Sequence, residues 1–126
     1  MNFINFVIER INSIKPAIQG LIFTIKNEKN TRIHSIATIV AIILIFLLKL
    51  NYIETLFFIS AVFIVWITEF FNTAIEYTLD FIHADKNPKV KIIKDISAAG
   101  VLLSAIYALL VAFIIIVTKI LSVIQS

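Results

Sequence analysis

Four stretches of the chain carry distinct hydrophobic patterns. Over residues 1–30, Phe3, Phe6, Val7, Ile11, Ile14, Ile18, Leu21, Ile22 and Ile25 recur at helical spacing, with Glu9, Arg10, Asn12, Lys15, Gln19 and Lys26 between them. That spacing predicts an amphipathic helix, too polar to span a bilayer and suited to lying along its surface. Pro16 fits the first turn of a second helical piece. Residues 33–50 are almost continuously apolar and predict a first membrane span; His34 sits near its start as an interface anchor. After a brief turn, residues 52–82 predict a second span whose end extends beyond the membrane, residues 83–95 a polar loop, and residues 96–118 a third span. Asp95 is placed to cap the last helix, and Ser97, Ala98, Ala99 and Gly100 at its start suit close approach to a neighbouring helix.

Composition narrows the class. The chain is 60% hydrophobic with a mean hydropathy of +1.02, far from soluble norms. It holds only two glycines and two prolines, little material for turns, and lacks the alternation of a membrane barrel. The expected fold is therefore an all-α membrane protein, a single domain of 126 residues. Cysteine is absent, which excludes disulfides, thiol catalysis and thiolate metal sites. The net charge of +3 is modest, and its basic residues read as orientation signals with no nucleic-acid partner. Arg10, Lys15, Lys26, Lys29 and Arg32 precede the first span, and Lys86, Lys89, Lys91 and Lys94 lie between the second and third, against Lys49 and Lys119 on the other side. The positive-inside rule puts the N-terminus in the cytoplasm and the C-terminus outside.

Chemistry concentrates at the end of the second span. On a helix, Glu69, Asn72, Thr73, Glu76 and Asp80 fall within a stripe roughly 100° wide. Carboxylates there cost free energy unless paired, metal-bound or wet, so they point to a functional site. With Glu28 ending the surface helix and Lys94-Asp95 near the third span, the set suits a hard cation and a polyphosphate. Mg²⁺ takes oxygen ligands and keeps water and substrate phosphates in its shell. Phosphoryl transfer needs positioning, charge neutralisation and a base. Glu69, the deepest carboxylate, is the candidate base for a lipid hydroxyl. No glycine-rich phosphate loop can be written in this sequence. Blander roles exist for single residues: Glu28 could form an i,i+4 pair with Arg32.

The run Glu69-x-x-Asn72-Thr73-Ala74-Ile75-Glu76-x-x-Leu79-Asp80, with Lys94-Asp95 and Ala98-Ala99-Gly100-Val101-Leu102, resembles the two signature blocks of the small bacterial diacylglycerol kinase and undecaprenol kinase family. The resemblance extends over about residues 20–105. It implies a homotrimeric helical bundle in the bacterial inner membrane, with sites completed by neighbouring subunits, and transfer of the γ-phosphate of ATP, with Mg²⁺, to a membrane lipid alcohol. It also implies that Glu28 and Glu76 bind the metal, Glu69 is the base and Asn72 holds the site. Asp80, Lys94 and Asp95 join Glu76 on the nucleotide side, Lys94 at a phosphate. Phe71 replaces the usual aliphatic residue. The stretch 27–34 is similar to members that phosphorylate undecaprenol, while the loop 85–88 differs from many members; the lipid is diacylglycerol or undecaprenol. Two other classes compete. A small proton-coupled exporter would need four spans and a mid-membrane Glu, and a non-catalytic partner-binding subunit would leave the polar stripe unexplained.

Overall fold

The computed structural model describes residues 2–82 and 87–125. Four helices make up nearly all of it: α1 (Phe3–Asn27), α2 (Lys29–Leu47), α3 (Tyr52–Ile82) and α4 (Pro88–Ile124). An all-helical chain is what an apolar solvent selects, because each helix satisfies its own backbone groups. By length and composition α2, α3 and α4 suffice to cross a membrane, and α1 is not among them. At about 1.5 Å per residue, α2 is roughly 28 Å long, close to the bilayer's hydrocarbon thickness of about 30 Å. With 31 and 37 residues, α3 and α4 run to roughly 46 and 55 Å and must project beyond it.

Local chemistry sets the helix ends. Between α1 and α2, Glu28 alone leaves the helical conformation, with φ −95° and ψ 129°, and serves both as C-cap of α1 and N-cap of α2. The Arg32 guanidinium donates back to the Lys26 carbonyl and so closes this corner; the alternative i,i+4 pair with Glu28 is not how Arg32 is used. The turn from α2 to α3 is a Schellman stop. Lys49 takes the left-handed conformation at φ 47°, the Leu50 N–H donates to the Ile45 carbonyl and the Lys49 N–H to the Phe46 carbonyl. A capping box then starts α3: Asn51 Oδ1 accepts from the Ile53 and Glu54 N–H groups, and Glu54 Oε2 accepts from the Asn51 N–H at 2.8 Å.

Two expectations need correction. Pro16 does not begin a second piece but lies inside an unbroken α1. The face around it is exposed, so water is available to the Asn12 carbonyl that proline leaves without a helical donor. The polar stretch 83–95 is not loop throughout, because α4 starts at Pro88. Asn87 is its N-cap, its side chain accepting from the Lys89 N–H, with Pro88 in the first turn where its missing N–H costs nothing. Asp95 is consequently no cap: it lies two turns into α4, paired with Lys91 at 2.7 Å. Residues 83–86 lie outside the described residues.

The three candidate spans form an antiparallel layer in which α3 is central, packing most extensively on α4 and less on α2, while α1 joins α2 at the Glu28 corner and meets α3 through Phe23 and Tyr77. Phe58, Ala61, Val111 and Ile115 form the buried apolar cluster, flanked by Ala41, Leu44, Ile45 and Tyr107. Polar contacts pin the register at several heights. Glu54 pairs with Lys119 at 2.9 Å, Thr68 and Ser104 share a hydroxyl hydrogen bond at 2.8 Å, Asp80 pairs with Lys94, and the Trp66 indole N–H donates to Thr38 at 2.9 Å. Most large apolar side chains face outward, as lipid-facing residues do. The close approach expected at Gly100 is not made within one chain, since a Cβ there would meet nothing within 4 Å. Phe58, 4% exposed, is the largest side chain of the core cluster. Phe58→Ala is therefore expected to lower the unfolding free energy by about 3 kcal/mol, measurable as an earlier midpoint in a denaturing-detergent titration.

Candidate active site

The stripe on α3 is graded in depth. Glu69 is 2% exposed; Asn72 and Thr73, one turn on, are also buried, Glu76 is half-buried, and Asp80 is exposed. The gradient follows from α3 leaving the bundle at this end: helix neighbours cover its first polar residues and thin out toward Ile82. A series of acceptors running from a dry carboxylate to a solvated one suits a reaction between a membrane-bound and a water-borne substrate.

Glu69 meets α2. Its Oε2 lies 3.5 Å from His34 Nε2, with the imidazole itself only 16% exposed. Antiparallel packing repeats the pairing by turns: Trp66 is bonded to Thr38 on one side, and the same register sets Thr31 opposite Asn72 on the other. Thr31 Oγ1, His34 Nε2, Glu69 Oε2 and Asn72 Oδ1 are all buried without a hydrogen-bond partner. Buried polar groups are normally satisfied, and a cluster of exceptions marks a place where a partner is to be supplied. Sequence alone makes His34 an interface anchor; the structure instead turns it toward Glu69. Thr31 carries no signal in the sequence.

One turn beyond, the Asn72 side-chain amide donates to Glu76 Oε1 at 3.0 Å, which fixes that carboxylate's orientation. The Tyr77 phenol neighbours both Glu28 and Glu76, so the α1–α2 corner and α3 present their carboxylates to a common region. Its ring is seated edge-on against Phe23 of α1, centroids 5.7 Å apart. Among the described residues there is no group of three or more acidic, His or Cys side chains that would hold a metal by themselves. Two carboxylates fit a magnesium ion that arrives with a nucleotide and keeps phosphate and water oxygens in its shell, and would not suffice for a resident protein-only site.

Of the expected nucleotide-side residues, Glu76 stands in the row with Asn72, while Asp80, Lys94 and Asp95 sit in two more solvated pairs. Lys94 Nζ is hydrogen-bonded to Asp80 Oδ1 across α3 and α4, and Lys91 to Asp95. Exposed pairs of this kind contribute little to stability and exchange readily for a competing anion. The structure thus brings Glu69, Asn72 and Glu76 into one row and pairs Asp80 with Lys94, while Asp95 pairs with Lys91 along α4.

On the membrane side of Glu69 lies an apolar cavity of about 460 Å³ between α2, α3 and α4, bounded by His34, Ala41, Phe58, Val65, Trp66 and Ala108 among others. An apolar space that reaches His34, whose ring faces the buried Glu69, with carboxylates and lysine beyond it, matches the two halves of a phosphoryl transfer to a lipid.

Comparison with known proteins agrees. Residues 15–116 match the prokaryotic diacylglycerol kinase family. The chain is also similar to the undecaprenol kinase of Bacillus subtilis (strain 168), 30% identical over 107 residues that cover 85% of this chain and 87% of that protein. Glu28, Glu69, Asn72, Glu76, Asp80 and Lys94 all fall within the matched region, and with the fold and the row of buried acceptors now described, the chain belongs to the prokaryotic diacylglycerol kinase family.

Proposed function

We propose that this membrane lipid kinase transfers the γ-phosphate of MgATP to the hydroxyl of diacylglycerol or undecaprenol, with Glu69 as general base. The observation that carries the reading is the burial of Glu69 beside His34, which lines the apolar cavity, at the inner end of the row of acceptors leading to water. A lipid hydroxyl presented from the membrane reaches Glu69 before any other carboxylate on the stripe. Proton removal there, as the hydroxyl oxygen attacks phosphorus, is the base step that phosphoryl transfer requires. Asn72 holds Glu76 by its amide. Glu28 and Glu76 would hold the nucleotide-borne magnesium ion, whose charge offsets that of the phosphates. Lys94 exchanges Asp80 for a phosphate when the nucleotide binds, and Asp95 stays on the nucleotide side as a charge near the lysines.

Similarity of the 27–34 stretch to undecaprenol-phosphorylating members, together with the Bacillus subtilis relative, favours the polyprenol. Three candidate spans give no support to a four-span exporter. Assembly as a homotrimer accounts for two features of the single chain: the unfilled space at Gly100 and the small set of ligands around Glu28 and Glu76. In this reading α1 lies on the cytoplasmic surface of the bacterial inner membrane, the overhanging ends of α3 and α4 reach into the cytoplasm, and the C-terminus is outside.

Labelled γ-phosphate offered as MgATP in mixed micelles is expected to appear in undecaprenol more rapidly than in diacylglycerol. Glu69→Gln should lower turnover by at least about 10²-fold while the protein still assembles, and Glu76→Gln should raise the magnesium and ATP concentrations needed. Wild-type turnover in both variants would remove the site assignment. Because the chain has no cysteine, topology is directly testable: Gln125→Cys should react with a membrane-impermeant thiol reagent added to intact cells, and Asn2→Cys only after the membrane is opened.

A further inference from the structure

Three polar groups border the apolar cavity. The Trp66 N–H is spent on Thr38, and the Thr38 hydroxyl is itself donated to the His34 carbonyl at 2.7 Å. His34 Nε2 is the member of this set with unspent capacity, and it faces Glu69 Oε2, which has no partner either. An ionised carboxylate only accepts hydrogen bonds, so the tautomer carrying its proton on Nε2 satisfies both atoms, whereas the other tautomer would bury two acceptors face to face. At 3.5 Å the pair is at the loose spacing common in catalytic pairs before substrate closes the site.

We propose that His34 is a positioning residue for Glu69: the imidazole donates Nε2–H to Oε2, fixes the carboxylate's rotation and leaves its other oxygen turned to the substrate hydroxyl. The inference rests on Glu69 being the base. In the transfer step the lipid oxygen forms its bond to the γ-phosphorus, the bond from that phosphorus to the departing ADP oxygen breaks, and the hydroxyl proton passes to the free oxygen of Glu69. Water takes that proton after products leave. His34 keeps its own proton throughout; its contribution is orientation of the carboxylate. This role separates His34 from Thr31 and Trp66, which share the same helix contact without reaching the carboxylate.

The test compares two variants of similar size. His34→Leu fills the space without a donor and should lower kcat by about 10- to 100-fold, the range typical for lost orienting partners, with the KM for MgATP unchanged. His34→Gln restores an N–H near the Nε2 position and should recover most of that loss. Wild-type kcat in His34→Leu, or a loss in His34→Gln as large as in His34→Leu, would overturn the proposal.

A second measurement does not depend on turnover in the His34 variants. The chain has two histidines, so imidazole ¹⁵N resonances of the labelled protein in micelles resolve into His34 and His83. Glu69→Gln should move the His34 ring signals, identified by their loss in His34→Gln; unchanged His34 signals would refute the contact. If Glu69→Gln instead retains full turnover while the His34 signals move, it is the assignment of Glu69 as base that fails, and the contact is structural.

Discussion

A carboxylate held in a nearly dry interior with a single histidine for company is the condition on which the rest of this structure turns. Removing Glu69 from water costs several kcal/mol unless partners compensate, and among the described residues the side chain set against it is His34, at 3.5 Å. A protein selected for stability alone would place an apolar residue there. The neighbouring architecture is consistent with keeping this residue in place: the Schellman stop and capping box hold α2 and α3 in one antiparallel register, and the Trp66–Thr38 hydrogen bond locks that register one turn away. Shifting either helix by one residue would rotate Glu69 away from His34 by about 100°.

The bundle also explains why chemistry is gathered at one end. Lipid gives helices no hydrophobic drive to associate, so packing and a few interhelical hydrogen bonds do that work. Here the apolar cluster around Phe58 and the Glu54–Lys119 pair secure the opposite end. The end carrying Glu28, Glu69 and Glu76 is thereby free to hold polar atoms unsatisfied. In the proposed reading, the overhang of α3 and α4 would carry the stripe from hydrocarbon depth into water, so that one helix face could serve a lipid and a nucleotide.

Much of this was legible in the sequence because membrane helices are written in long apolar runs. The three spans and the stripe from Glu69 to Asp80 follow from hydropathy and a 100° step. Helix ends were harder to place. Lys89, Lys91 and Lys94 made the stretch before Ile96 look like loop, yet helices outside the bilayer are free to be polar, and Asn87-Pro88 is a start signal as well as a turn signal. Pro16 has the look of a boundary, yet an exposed helix tolerates one missing backbone bond. The role of His34 was hidden because pairing between helices depends on the turn: once Lys49 and Leu50 are known to reverse the chain tightly, position 34 falls beside position 69. Thr31 carries no charge and gave no signal of its own; only its complete burial, with an unsatisfied hydroxyl, draws it out.

The most direct measurement of where the chemistry sits is paramagnetic broadening by Mn²⁺ in place of Mg²⁺, read on the backbone amide resonances of the micellar protein with ATP bound. Broadening strongest at Glu28, Asn72, Glu76 and Tyr77, weaker at Asp80 and Lys94, and absent at Asn51–Glu54 is the predicted result. Broadening centred at the Glu54–Lys119 end, or spread evenly along the helices, would contradict a nucleotide site built on the buried stripe of α3.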